Sequence, residues 1–428
     1  MGPLADRNFR LLAAGQLTST IGDFCYAVAL PWLVLSERGG PVLLGLVLAC
    51  YGVPRTVLVP VGGILADKLG PGRLMLAADI GRGLLVVVLT VIAARHLVSL
   101  AALGPVAALL GAGEGLFLPA SFAIMPTLLP PSQLQSGNAI NSAAVQIGTV
   151  LGPTVGGILV ATSGSVPAFA VDAASFGISA VALWQLRARP TDAQAGDAAP
   201  DVPPLDAPPG GSAAPDTFAA PDASPAPDVP PLPGPAPPSL WRLLTGSRFL
   251  QVLMLVCVMA NFTLAGTLEV ALPALAHARF GAEGYGALVA CLGVGSVAGT
   301  LAAARRTGTV RPMIITAVAY VASGLIVGLV PFLGGLPGAA AGTLLFGLGI
   351  GYGDILVITL IQQWAPPAML GRVMGLVMLA SIGTFPASVA ITGVLVHALG
   401  PAPFFPATGG VLVLALIIAM ASREFRNF

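Results

Sequence analysis

Charge is what this chain of 428 residues has least of. Asp, Glu, Lys and Arg make up 9% of it, while 56% is hydrophobic and the mean hydropathy is +0.91. A soluble domain carries about 25% charged residues, so a water-soluble fold is excluded. The apolar runs are about 20 residues long, the length a helix needs to cross a bilayer, and they argue for helices rather than a barrel. Cysteine is scarce too. Cys25, Cys50, Cys257 and Cys291 all fall inside apolar runs and none forms a CxxC pair, so neither a disulfide framework nor a metal site is expected. The three histidines, His96, His277 and His397, lie at the outer ends of apolar runs, where a solvated loop residue or a proton relay fits. There is no Gly-rich GK[ST] loop, which argues against ATP as the driver. No catalytic constellation appears, and neither a cofactor nor a nucleic-acid partner is expected. The start, MGPLADRNFRLLAAGQ, has no small-residue cleavage site, so the first apolar run is expected to be retained.

What is present is a series of twelve apolar runs, which predicts an all-α polytopic membrane protein. The expected transmembrane spans are 10–35, 42–65, 73–94, 99–122, 138–161 and 166–186, then 249–275, 285–304, 312–332, 338–362, 372–397 and 403–421. With the N-terminus inside, fourteen of the nineteen Lys and Arg fall on the cytoplasmic side, so both termini are expected there. Residues 190–238 hold sixteen prolines and seven aspartates but no Lys or Arg, and cannot bury a core. They read as a disordered cytoplasmic linker between two six-helix bundles, 1–189 and 239–428, and serve as a passive tether or a regulatory tail. Ser239–Gly246 reads as a short interfacial amphipathic helix anchored by Trp241.

The halves resemble each other. An offset of 236 residues maps Gly63 onto Gly299. It also maps Gly111, Gly113 and Gly115 onto Gly347, Gly349 and Gly351, and Gly157 onto Gly393. One offset without a gap over about 95 residues reads as a duplicated half, a mark of transporter folds. The two six-helix bundles are therefore expected to be pseudo-symmetric.

The turn GGILADKLGPGR, from Gly62 to Arg73, resembles the signature between helices 2 and 3 of the major facilitator superfamily. GTVLGPTVGGILV, with Gly148, Gly152, Pro153, Gly156 and Gly157, resembles the antiporter signature in helix 5 of that superfamily's exporters. The phrases RNFRLLAAGQLTSTIGD, FLPASFAIMPTLLPPSQLQSGNAINS and APPAMLGRVMGL look like the enterobactin-exporter and macrolide-efflux branch. The resemblance implies alternating-access transport, proton-coupled efflux of small hydrophobic or cationic compounds of drug or siderophore type, and a monomer in the plasma membrane. An importer or lipid facilitator of the same fold is the alternative, and a membrane sensor or scaffold is a third. Two departures stand out: Ala107–Leu110 occupies the place of the arginine that many proton antiporters carry in helix 4, and Ala303 stands where the repeat would copy Asp67.

A carboxylate at the centre of a bilayer costs about 2.5–3.5 kcal/mol on insertion scales, so such residues face a cavity or a partner. Asp23, Glu114, Glu269 and Asp354 sit in spans 1, 4, 7 and 10, the first helix of each three-helix unit. The resemblance places those helices around one central cavity, so four acids are expected to share one water-filled space for proton coupling or substrate attraction. Arg55, mid-span, needs a partner, and Asp23 is a candidate. Asp79 and Arg82, three apart, read as a structural ion pair, and Asp172 as a structural residue nearer the outer face. Asn261, with Asn138, Asn141, Gln146 and Gln362, can bind substrate or join helices. Gly63, Asp67, Lys68, Gly70 and Arg73 are expected to form a conformational switch, with Asp67 pairing with Arg372 and the positive end of its helix. The helix-5 glycines offer a small-residue face, read either as an anti-leak seal or as packing.

Overall fold

The computed structural model describes residues 3–37, 39–186, 246–305, 312–364 and 370–421. The linker 190–238, Ser239 to Thr245 and the basic turn 306–311 lie outside the described residues, as does the side chain of Arg372. Among the described residues, twelve helices follow the twelve apolar runs. They are α1 (Arg7–Ser36), α2 (Gly40–Leu69), α3 (Pro71–Ala94), α4 (Leu100–Ala123), α5 (Pro131–Ser163), α6 (Ser165–Trp184), α7 (Arg248–Arg279), α8 (Gly281–Arg305), α9 (Pro312–Leu329), α10 (Gly335–Trp364), α11 (Leu370–Gly383 continued by Phe385–Leu399) and α12 (Phe404–Ala421). Eleven of these are long and apolar enough to cross a membrane, and the twelfth has a shorter apolar stretch, Phe404–Ile418.

Local chemistry sets the ends. Asp6 caps α1, accepting from the backbone N–H groups of Asn8 and Phe9 at 2.8 and 3.1 Å. Gly70 joins α2 to α3 as a one-residue turn with φ +85°, a conformation that favours glycine, and Pro71 opens the next helix. Two helices are interrupted at mid-depth. Thr267–Ala271 in α7 widens into a π turn, and α11 breaks at Thr384, just before Pro386. The outward faces are apolar and bare: Leu84 is 64% exposed and Phe122 70%. That pattern suits hydrocarbon as solvent, in which a spanning chain pairs its backbone polar groups within helices.

Within the first half, α1 packs on α5 and α6, α2 on α4, and α3 on α4 and α6; within the second, α8 packs on α10, and α9 on α10 and α12. The halves meet along two seams, α2 with α11 and α5 with α8. The buried side chains are divided unevenly. At the face that carries the α1–α2 and α7–α8 connections (the distal face), Leu44, Val47, Leu275 and Val396 of both halves belong to one core. At the face that carries the termini (the terminal face), each half has its own core, one around Phe9, Leu74 and Met125, the other around Phe249, Leu253 and Ile361. The halves are thus locked together distally and separate towards the terminal face.

The repeat is real in three dimensions, but its offset is not uniform. Gly111 and Gly115 of α4 lie against the Tyr51 and Arg55 carbonyls of α2; Gly347 and Gly351 of α10 lie against those of Leu292 and Ser296 in α8. Gly113 faces Arg82 of α3, and Gly349 faces Ser323 of α9. So α4 and α5 keep the offset of 236, whereas α2 and α3 match α8 and α9 at 241. The five-residue difference falls between the start of the third helix and the start of the fourth: α3 has 24 residues, whereas α9 has 18 before the turn that leads into α10. This corrects the expectation of one gapless offset. It also moves the counterpart of Asp67 from Ala303 to Gly308, which lies outside the described residues.

Candidate functional site

The space between the halves is divided in two. An outer chamber of about 820 Å³, within the size range of drug-sized ligand pockets, is walled mainly by the second half. Leu253, Val357, Met374 and Leu416 line it, and Asn261, Tyr320 and Asp354 are among its polar groups. An inner compartment of about 340 Å³ lies within the first half, lined by Asp23, Tyr26, Tyr51, Arg82, Glu114 and Asp172. Arg55, Glu269 and Phe385 line both, and so form the partition. Both helix interruptions supply partition residues: Glu269 sits in the π turn of α7, and Phe385 begins the second piece of α11. A π turn re-aims one side chain without ending the helix.

The four expected acids therefore do line the space between the halves, but they do not share one compartment. Asp23 and Glu114 face the inner one, Asp354 the outer one, and Glu269 both. Arg55 pairs with Glu114 at 3.0 Å, not with Asp23. The reason lies in the packing: Gly115 lets α4 approach the backbone of α2 at Arg55 itself, and this brings the neighbouring Glu114 under the guanidinium. Tyr51, one turn before Arg55, also donates to Glu114, and its ring lies 5.9 Å from the guanidinium carbon. Glu114 is thus fully provided for by its own half.

Asp79 and Arg82 do pair, at 2.6 Å, and Ser179 donates to the other carboxylate oxygen at 2.6 Å. The Arg82 guanidinium lies between the rings of Phe117 and Phe176, at 4.4 and 4.5 Å, and the same arginine reaches the inner compartment. Asp172 lies in the distal half of α6, as expected, and it faces inward. It is 1% exposed, lines the inner compartment, and its Oδ1 is buried with no hydrogen-bond partner. A polar stripe of Asp172, Ser175 and Ser179 on α6 packs against Gly22 and Gly15 of α1, and that matched spacing is the signal in the sequence. Among the described residues, Asp23, Asp172 and Glu269 have no ion-pair partner.

Asn261 donates to the Cys257 carbonyl at 2.9 Å and to Ser381 of α11 at 3.4 Å, so it joins helices at the chamber wall. Tyr320 donates to Asp354. Gly148, Gly152 and Gly156 pack on α1, within their own half, against Thr20, Phe24 and Cys25. Of the four glycines Gly157 reaches the other half, where it meets Gly286 of α8 at backbone contact; Gly286 also meets the Pro153 carbonyl. Its repeat partner Gly393 meets Gly45 of α2 in the same way. At the terminal face Asp67, Lys68 and Arg73 are exposed, Gly63 has open space beside it, and Asp67 makes no hydrogen bond or ion pair among the described residues. His277 stacks edge-on against Trp32 at the distal closure (4.8 Å), and His96 contacts Glu37 at 2.5 Å in the distal loops.

The sequence model of the Major Facilitator Superfamily matches residues 12–388. Among characterised relatives, the enterobactin exporter EntS of Shigella boydii serotype 4 (strain Sb227) is 27% identical over 433 aligned residues, covering 98% of this chain and 93% of the relative. EntS of Escherichia coli (strain K12) is 26% identical with the same coverage. The nucleoside transporter NupG superposes with a TM-score of 0.68 at 11% identity, over 97% of this chain and 98% of that one. The fold, its two seams and the full-length match lead to one statement: the chain belongs to the major facilitator superfamily, and is a multi-pass secondary transporter, not an enzyme, that moves small molecules across a lipid bilayer.

Proposed function

We propose that this transporter is a proton-driven exporter of small hydrophobic or cationic compounds, working by alternating access in the plasma membrane as a monomer with both termini in the cytoplasm. The observation that carries this reading is the inner compartment: Asp23, Asp172 and Glu269 face one small space without an ion-pair partner among the described residues, and it adjoins a large apolar chamber across a shared wall. In this space the carboxyls are the groups that can take up a proton from one side and release it to the other. Glu269, on the partition, is placed to link their state to the occupant of the chamber. With the termini cytoplasmic, the chamber faces inward, ready to load a compound for export. The relatives named enterobactin exporters, matched over nearly the whole chain, support the direction. A sensor or scaffold has no use for a partitioned chamber.

The test is dye efflux from everted vesicles with and without an imposed proton gradient, comparing the native chain with Asp23→Asn, Glu114→Gln and Asp172→Asn. Gradient-driven transport that is lost in Asp23→Asn or Asp172→Asn is the expected result. Transport that ignores the gradient would refute proton coupling and turn attention to a facilitator of the same fold, the reading that Ala107–Leu110 in place of a mid-helix arginine also fits.

A further inference from the structure

The two halves treat their cavity carboxylates differently. In the first half Glu114 receives a tyrosine hydroxyl from Tyr51 and a guanidinium from Arg55. In the second half Asp354 receives a tyrosine hydroxyl from Tyr320 and, among the described residues, no cation. The repeat puts Ile350 where Glu114 stands, and Asp354 lies one turn further along α10, but it does show where the cations went. By packing, the counterpart of Arg55 is Ser296, which lies against Gly351 as Arg55 lies against Gly115. The counterpart of Arg82 is Ser323, which lies against Gly349 as Arg82 lies against Gly113. Both cavity arginines of the first half are serines in the second. Among the described residues, the sole Lys or Arg lining the outer chamber is Arg55, and it is already paired with Glu114. The chamber therefore holds two carboxylates, Asp354 and Glu269, in a wall otherwise built largely of Leu, Ile, Val and Met.

We propose that Asp354, held by Tyr320, is the charge-selecting residue of the outer chamber, and that it binds the positive head of a monovalent, apolar organic cation whose body fills the apolar wall. This deepens the export reading and rests on it for the chamber being the substrate site. The substrate supplies the cation that the second half of the repeat lacks. The ring of Tyr320 adds an aromatic face beside the same carboxylate, which suits a cation further. An apolar anion of the same shape meets two carboxylates and no free guanidinium, so the chamber rejects it by charge.

The experiment is equilibrium binding to the purified full-length chain in detergent, with no gradient. The probes are tetraphenylphosphonium and tetraphenylborate, which are near in shape and opposite in charge. The native chain is expected to prefer the cation by about tenfold or more, equivalent to about 1.4 kcal/mol. Asp354→Asn removes that preference and Asp354→Glu keeps it. Ser296→Arg, which restores a guanidinium at the position the first half gives to Arg55, lowers binding of the cation. A native chain that binds both ions alike overturns the proposal, and so does an Asp354→Asn or Ser296→Arg protein, folded by its elution profile, that keeps the full preference. Because the assay reads binding without a gradient, it separates the two ideas: vesicles that fail to export while the preference stands would refute export and leave the selecting role of Asp354 intact.

Discussion

Gly157 offers the sharpest test of how the halves close. A Cβ added there would stand 2.8 Å from the Cα of Gly286, and one added at Gly286 would stand 2.7 Å from the Cα of Gly157. Carbon atoms in ordinary contact sit about 3.5–4.0 Å apart, so each added methyl is roughly 1 Å too close. The atoms it meets are backbone, and no side chain can turn away. The seam between α5 and α8 must open, at a cost of about 1–3 kcal/mol for overpacking. In the proposed alternating-access cycle the other state parts this seam, so that cost falls on the distally closed state alone. A coupling of about 1–3 kcal/mol corresponds to about 5–150-fold in population. Gly148→Ala is the control: its Cβ would meet Thr20 of α1, inside the same half, so both states bear the strain equally. The readout is the rate at which a membrane-impermeant maleimide, added at the distal face, labels Leu30→Cys in a background lacking the four native cysteines. Leu30 is 2% exposed and lines the inner compartment. Gly157→Ala is expected to raise the rate several-fold or more, Gly393→Ala to do the same at the other seam, and Gly148→Ala to leave it unchanged. An unchanged rate in Gly157→Ala, or an equal rise in Gly148→Ala, would refute the claim that the glycine pairs form the distal closure.

The other expectations concern the terminal face and the buried network. Asp67→Asn should cut transport with little loss of protein in the membrane, since Asp67 has no partner among the described residues in this state and can engage the second half when the terminal face closes; transport at the native rate in vesicles with equal protein would remove that role. Arg82→Ala should lower stability by about 3–5 kcal/mol, because it leaves Asp79 buried with Ser179 alone and strips the cation from between Phe117 and Phe176. Thermal unfolding in detergent reads this, with Arg82→Lys expected to fall between the two as it keeps the charge and loses the stacked plane; an Arg82→Ala protein as stable as the native chain would contradict it.

The twelve helices were legible because a bilayer imposes one demand, about 20 apolar residues with a satisfied backbone, and this chain repeats that pattern along its length. The assembly of α1, α4, α7 and α10 around the space between the halves was expected from the resemblance to the superfamily, and residues of all four helices do line that space. The partition was not. It depends on Phe385 and Glu269, each aimed by an interruption of its helix, and neither a π turn nor a break before Pro386 has a periodicity that a hydropathy pattern would show. The partner of Arg55 was missed for a different reason. Charge alone allows Asp23 and Glu114 equally, and the choice is made by Gly111 and Gly115, whose four-residue spacing brings α4 down onto α2. The depth of Asp172 was legible but its inward face was not; its spacing with Ser175 and Ser179 matches that of Gly15 and Gly22 on α1, which points the carboxylate inward.

The same comparison carries a mechanistic consequence. A duplicated half begins with equal chemistry on both sides, yet here the cavity arginines and their two ion pairs lie in the first half while the second keeps a carboxylate, a tyrosine and a wide apolar wall. Charge that is paired within one rigid half does not respond when the halves rock, because both partners move together. Asp23, Asp172, Glu269 and Asp354 have no ion-pair partner among the described residues and line the two compartments, so in the proposed cycle theirs are the surroundings that change when the seams open and the terminal face closes. Coupling needs groups whose energy differs between the two states. The division of paired and unpaired acids therefore separates the charges that hold the bundle together from those able to drive it.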